Sequence, residues 1–104
     1  FSMAFPDEVV STICAMCAPH CVILYGEKRT LSTDKLKAAS LCIVVPDGTD
    51  KRALQQQLYL AILADVPVNL TLYTQDEWNR LTQDDSSYAA WIHRKGRVLY
   101  EPGA

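Results

Sequence analysis

The sequence has no apolar run that approaches the roughly 20 residues of a membrane-spanning helix, since its longest run is Leu58–Ala64. It has no secretory signal before its first predicted helix, and its net charge is only −2. Broad nucleic-acid binding needs many cations to neutralise phosphates, and this charge balance does not supply them. We therefore expect a cytoplasmic protein with no membrane partner and no general nucleic-acid binding.

Cysteine is limited to four residues among 104. Without an export signal, such thiols are expected to stay reduced, which argues against a disulfide scaffold. Hydrophobic residues make up 49% of the chain, enough for one core in one globular domain. Phe1-Ser2 ahead of Met3 is typical of a cloning remnant, so residues 3–104 are expected to form that single domain.

Hydrophobic periodicity predicts helices and strands that alternate along the chain. The first helix ends before Pro19, and a buried strand follows that stops at a sharp turn at Gly26. The polar stretch 27–37 is expected to be a loop or a short helix. The remaining predicted elements are a strand at Ala39–Val45, a helix at Lys51–Ala64, a strand at Val68–Tyr73, short helices around Trp78 and Trp91, and a strand at Arg97–Tyr100. This order predicts an α/β or α+β domain, with a mixed β-sheet of about four strands flanked by helices.

Four stretches in this order resemble the minimal nucleotidyltransferases, small members of the DNA polymerase β-like superfamily. They are Val22-Ile23-Leu24-Tyr25-Gly26, Leu41-Cys42-Ile43-Val44-Val45, Val66-Pro67-Val68-Asn69-Leu70-Thr71-Leu72-Tyr73-Thr74, and Lys95-Gly96-Arg97-Val98-Leu99-Tyr100-Glu101. In this order, they look like the family's strand before its glycine-serine turn, the strand that carries its Asp-x-Asp pair, the strand that carries its third carboxylate, and the usual C-terminal sequence of the family. The resemblance spans nearly the whole chain and implies a nucleotidyltransferase fold.

The family transfers a nucleoside monophosphate from a nucleoside triphosphate (NTP), using Mg²⁺ held by three carboxylates. Alternate residues of a strand point to one side, so an Asp-x-Asp pair directs two carboxylates at one spot. The resemblance carries these positions to Ala39, Leu41 and Asn69, none of which is a carboxylate, and the chain contains no Asp-x-Asp. Glu27 stands where the family has its serine. The resemblance thus implies the fold without the activity. Mg²⁺ and an NTP are expected as cofactor and substrate only if residual activity remains.

Binding is the leading hypothesis for such a catalytically inactive domain. The partner is a second copy of the chain or a small helical protein, since the resemblance implies pairing with HEPN-type proteins in bacterial toxin–antitoxin-like systems. A second hypothesis is a nucleotide sensor that uses Gly26, Glu27, Lys28 and Arg29. The positive charges of Lys28 and Arg29 also fit an ordinary solvent-exposed face. The alternative is an active nucleotidyltransferase with a rearranged metal site at Asp34 and Asn69.

A separate pattern, Cys14-x-x-Cys17-x-x-His20-Cys21, has the spacing of zinc or iron–sulfur ligands. However, Pro19 ends the helix between the pairs, and Cys21 enters a strand that should be buried. Free cysteine also packs as a small hydrophobic residue. We therefore expect structural cysteines, with a metal site as the lesser alternative.

Overall fold

A computed structural model describes residues 3–102, so Phe1 and Ser2, the predicted cloning remnant, lie outside the described residues. The elements are α1 Asp7–Cys17, β1 Cys21–Arg29, β2 Leu36–Val45, α2 Lys51–Ala61, β3 Val68–Thr74, α3 Gln75–Leu81, α4 Tyr88–Lys95 and β4 Arg97–Tyr100. Within this range, no helix combines the length and apolar character that crossing a membrane requires.

The four strands of the described residues form one sheet in the order β3-β2-β1-β4. β1 pairs antiparallel with both β2 and β4, whereas β2 and β3 run parallel and are joined through α2. A parallel pair needs such a crossover, because the chain must return to the same end of the sheet. The prediction of a mixed α/β domain with about four strands flanked by helices is therefore confirmed.

Helices cover the sheet on both faces. On one face, α1 and α2 pack against alternate residues of β2, with Ile13 and Leu58 fully buried there. On the other face, α3 and α4 contribute Trp78 and Ile92 to a smaller core around Cys42. We call these the α1/α2 face and the α3/α4 face. Each β2 residue belongs to one of them by simple alternation.

The predicted sharp turn at Gly26 is wrong, since β1 continues through Gly26 to Arg29. The chain instead reverses after Thr30, whose N–H donates to the carbonyl oxygen of Lys35 at 2.9 Å. The register shifts between Leu24 and Gly26, which marks a β-bulge there. Because β2 satisfies the backbone of this extension, its charged side chains can stand in solvent. The polar stretch is thus the far end of a hairpin.

The third strand and the helix before it begin where the sequence predicts, but α2 ends at Ala61, short of the predicted Ala64. Asp50 caps its start by accepting from Ala53 N–H at 3.1 Å. At its end, the carbonyl of Leu63 accepts from the N–H of Met3 at 2.5 Å. A β-bridge between Met3 and Ala64 continues this pairing, so the end of the predicted helix is extended and not helical.

Candidate functional site

The three positions that the resemblance assigned to metal-binding carboxylates do not lie together. Ala39 and Leu41 are 1% and 0% exposed and belong to the core under α1 and α2. Asn69 is exposed and stands beside Ser40 in the parallel register. Paired residues of neighbouring strands point to the same face, so Asn69 lies on the opposite face from the other two.

The nearest residues of β2 on the face of Asn69 are Ala38 and Ser40, a pair that sequence reasoning missed. Ser40 lies opposite Asn69, and Ala38 lies two residues before it. One signal was present in the sequence, because the series containing Ser40 and Cys42 is smaller and more polar than the series containing Leu41 and Ile43. Predicting that Ser40 lies beside Asn69 also requires the register between β2 and β3, which the sequence does not give.

Aromatic side chains border this part of the α3/α4 face. Tyr25 reaches across the sheet, where its hydroxyl and that of Thr71 lie 2.8 Å apart in a hydrogen bond. Its ring meets those of Tyr88 and Trp91 edge-on, at centroid distances of 5.9 and 6.2 Å. Tyr88 and Trp91 stack on each other at 5.6 Å, and they remain 55% and 39% exposed. These rings form a wall that solvent still reaches.

We call this region the aromatic shelf. Its wall is formed by Tyr25, Tyr88 and Trp91, and its floor by Gly26, Ser40, Asn69 and Thr71. Gly26 lies tight against Ser40, since a Cβ on Gly26 would stand 3.3 Å from the Cβ of Ser40. Burial is the main cause that raises the pKa of the Tyr25 hydroxyl, so this side chain of the wall stays protonated at neutral pH.

Cations lie at the border of the shelf. Lys28 is exposed and pairs with Ala38, which puts it on the same face as Ser40. An open pocket of about 260 Å³ adjoins Tyr25 and Gly26 and is also lined by Leu24, Glu27, Lys95 and Arg97. Positive charge beside half-exposed aromatic rings is a combination that suits a planar anion.

The four residues predicted to contact a nucleotide divide into two pairs. Gly26 and Lys28 lie at the shelf, as described above. Glu27 and Arg29 instead bond to each other, with Arg29 Nη2 at 2.6 Å and Nε at 3.1 Å from Glu27 Oε2. Arg29 Nη1 also donates to the carbonyl of Asp34 at 3.0 Å, so this guanidinium ties the hairpin together. These contacts leave Gly26 and Lys28 as the residues of the four that face the shelf.

Asp34, the acid named for a rearranged metal site, lies exposed in the hairpin loop with a positive φ of 54°. Asp is one of the residue types that tolerates this conformation, which gives it a local structural role. Across residues 3–102, no three side chains of the His, Cys, Asp and Glu types are grouped so that they could hold a metal ion.

The cysteine pattern is spread over two elements. Cys14 and Cys17 lie in the last turns of α1, and Cys21 begins β1 after an exposed His20. The Sγ of Cys17 donates to the carbonyl of Ile13 at 3.3 Å. Burial raises the pKa of both Cys17 and Cys21 to about 11, so these thiols carry their protons at neutral pH. They are poor nucleophiles in this state.

A second surface lies at the end of α2 and in the segment that leads into β3. Leu60 and Leu63 are 82% and 56% exposed, and Tyr59 is 48% exposed. Beside them lies a pocket of about 470 Å³ whose lining includes Val66 and Pro67. We call this surface the α2 rim. Adjacent exposed apolar side chains of this kind often mark contact sites.

No protein-family model, curated protein or solved structure matches this chain.

Proposed function

We propose that this chain is a nucleotidyltransferase-like domain that binds a nucleotide on the aromatic shelf and does not transfer it. The observation that carries the proposal is the chemistry of the shelf floor. Ser40, Asn69 and Thr71 share one face there, and all three are uncharged. Lys28 adds a positive charge on the same face. A shelf with this composition attracts phosphate groups directly and does not need a metal ion to offset their charge.

The order and direction of the strands support the finer fold assignment within this proposal. The resemblance places the strand that contains the turn glycine next to the strand that carries the paired positions, with the remaining position on a third strand. β1, which contains Gly26 but runs on to Arg29, is the neighbour of β2, and β3 brings Asn69 beside β2.

Nucleotide binding follows from the two kinds of group at the shelf. A base can stack on the exposed faces of Tyr88 or Trp91, and each stacked base contributes about 1–3 kcal/mol in proteins that bind single strands. Phosphates can lie toward Lys28, which shares the face of Ser40. Transfer is disfavoured because a hydroxyl and an amide are neutral ligands, while Mg²⁺ sites in this chemistry rely on carboxylates.

Thermal unfolding with ATP, GTP or CTP at 5 mM tests the proposal. Because a ligand that binds only the folded state stabilises it, we expect one nucleotide to raise the Tm by about 5 °C, equally with Mg²⁺ and with chelator. Trp91→Ala and Lys28→Ala should remove most of this rise. Arg52→Ala is the matched control, because Arg52 is an exposed cation on α2. This substitution should leave the rise in Tm unchanged.

Two outcomes would contradict nucleotide binding without transfer. The absence of any rise at 5 mM would remove nucleotide binding at the shelf. A rise that requires Mg²⁺, or transfer of labelled AMP to an acceptor, would instead favour the active nucleotidyltransferase with a rearranged metal site.

A protein partner at the α2 rim is the second candidate, and the 82% exposure of Leu60 favours it. The resemblance suggests a small helical protein of the toxin–antitoxin-like kind as this partner. We expect Leu60→Arg to weaken its binding at least about tenfold, because it puts a charge into an apolar contact. Leu31→Arg is the control, since Leu31 is fully exposed in the hairpin loop. Isothermal titration with the co-purified partner measures both, and equal affinities would exclude the rim.

A further inference from the structure

Tyr25 sets the inner limit of the aromatic shelf. It lies on β1 and its hydroxyl shares a hydrogen bond with that of Thr71 on β3, so the side chain spans the intervening strand β2. Beside Thr71 in the register lies Cys42, which is fully buried, whereas Ser40 on the same face is half-buried. The Tyr25 ring also meets that of Trp91 edge-on at 6.2 Å. A ligand on the open floor can therefore extend inward only as far as Tyr25.

Lys28 lies one row farther out along the floor. It pairs with Ala38, and Gly26 pairs with Ser40, so these two pairs are successive rows on one face of the sheet. Two residues of β2 separate the rows, which at the rise of a strand corresponds to about 7 Å. One ribose spans a comparable distance between a base and its 5′-phosphate. A base held at the aromatic wall therefore places its first phosphate near Lys28.

The hairpin beyond Lys28 is poorly suited to further phosphates. The guanidinium of Arg29 is already occupied, since it contacts Glu27 at 2.6 Å and the carbonyl of Asp34 at 3.0 Å. Glu27 and Asp34 also carry negative charge, which offsets part of the positive charge of the exposed Lys35 and Lys37. An exposed ion pair changes an affinity by about fivefold at most. A second and a third phosphate therefore gain little on this hairpin.

We infer that the aromatic shelf takes a nucleoside monophosphate, with Tyr25 as its inner limit, Thr71 as the residue that positions Tyr25, and Lys28 as the contact for the phosphate. This inference rests on the proposed nucleotide binding and narrows it to one class of ligand. Ser40 and Asn69 lie on the floor between the wall and Lys28, where their polar side chains can bond to the ribose hydroxyls. The single phosphate then meets the cation at the outer end of the floor.

Isothermal titration of the full chain in the presence of chelator compares AMP, GMP, CMP and UMP with their triphosphates. We expect at least one monophosphate to bind no more than about fivefold more weakly than its triphosphate, the limit set by an exposed ion pair. Lys28→Ala should weaken both members of that pair by a similar factor. Lys35→Ala is the matched control, because Lys35 is an exposed cation on the same hairpin. This substitution should change neither affinity.

Two results of this titration would contradict different statements. If every nucleotide that binds does so more than about fivefold tighter as the triphosphate, the monophosphate class is overturned and nucleotide binding at the shelf stands. If none of the eight nucleotides binds, the proposed function itself is contradicted.

Removal of the hydrogen bond between Tyr25 and Thr71 tests the inner limit. Thr71→Val keeps the shape of the side chain and loses its hydroxyl, so we expect the monophosphate to bind about fivefold more weakly. Thr71→Ser keeps a hydroxyl and should recover most of the affinity. The near-UV circular dichroism of the free protein should also change in Thr71→Val, because the contact between the Tyr25 and Trp91 rings changes.

Tyr25→Phe breaks the same hydrogen bond from the other side and replaces Thr71→Val if that variant folds poorly. It should weaken binding of the monophosphate to the same extent. Wild-type affinity in a folded variant that lacks this hydrogen bond would overturn the inference.

Discussion

Leu41→Asp is expected to prevent folding of the chain under native conditions. Leu41 is fully buried between β2 and the helices of the α1/α2 face, where its neighbours are apolar side chains such as Leu54 and Leu58. A carboxylate there loses its hydration and gains no partner, and the leucine's own burial is lost as well. We expect a loss of about 5 kcal/mol, comparable with the whole stability of a small domain. Circular dichroism and urea unfolding measure it.

The neighbouring substitution Ser40→Asp is the matched control. Ser40 is half-buried on the other face, at the open shelf beside Asn69. A carboxylate introduced there keeps contact with water. We expect a folded protein that loses less than about 1 kcal/mol. If Ser40→Asp unfolds while Leu41→Asp folds, the assignment of β2 residues to the two faces is reversed, and the shelf is not the site.

Gly96→Ala is expected to destabilise the chain by about 3 kcal/mol through overpacking. Gly96 joins α4 to β4 and has a φ of −78°, so a left-handed conformation is not what requires glycine here. Close approach is the reason, because a Cβ would overlap Ile23 Cγ2 and stand 2.7 Å from the carbonyl oxygen of Ile92. Ile23 and Ile92 are both buried and have little room to shift. Urea unfolding measures the loss.

Two other glycines serve as controls for this prediction. Gly26→Ala places its Cβ 3.3 Å from Ser40, a tight contact that a small shift relieves, so we expect a loss below about 1 kcal/mol. Gly48→Ala meets no atom within 4 Å, but its φ of +86° strains an alanine by about 1 kcal/mol. Losses of equal size at all three positions would show that steric overlap is not the cause at Gly96.

The sequence was sufficient to predict which elements form, since their signals are local. The Asp50 cap and the stripe of Leu54 and Leu58 define α2 without reference to the rest of the chain. The extension of β1 past Gly26 was missed because the residues after it are polar and alternate too weakly to indicate a strand. These residues are in a strand because they pair with β2 in the hairpin, and hydrophobic periodicity does not indicate such pairing.

The site was harder to predict because it depends on contacts between distant parts of the chain. Tyr25 and Trp91 lie far apart in sequence, and nothing local indicates that their rings meet. The face of Asn69 was readable from the alternation in β3, but its partner Ser40 depends on a register that only the parallel pairing fixes. A shift of one residue moves every side chain to the opposite face, so the resemblance that named Ala39 and Leu41 could not by itself say which face they occupy.

The strand order β3-β2-β1-β4 also has a consequence for synthesis of the chain. β1, β2 and β3 leave the ribosome before α3, α4 and β4, and roughly 1–5 s pass before these follow at ordinary translation rates. During that interval the α3/α4 face, with Ile23 and Val44, has no cover. Since β4 joins at the sheet's edge, it can add last without threading. A nascent-chain chaperone would therefore find its target in this interval, on a face that the finished protein hides.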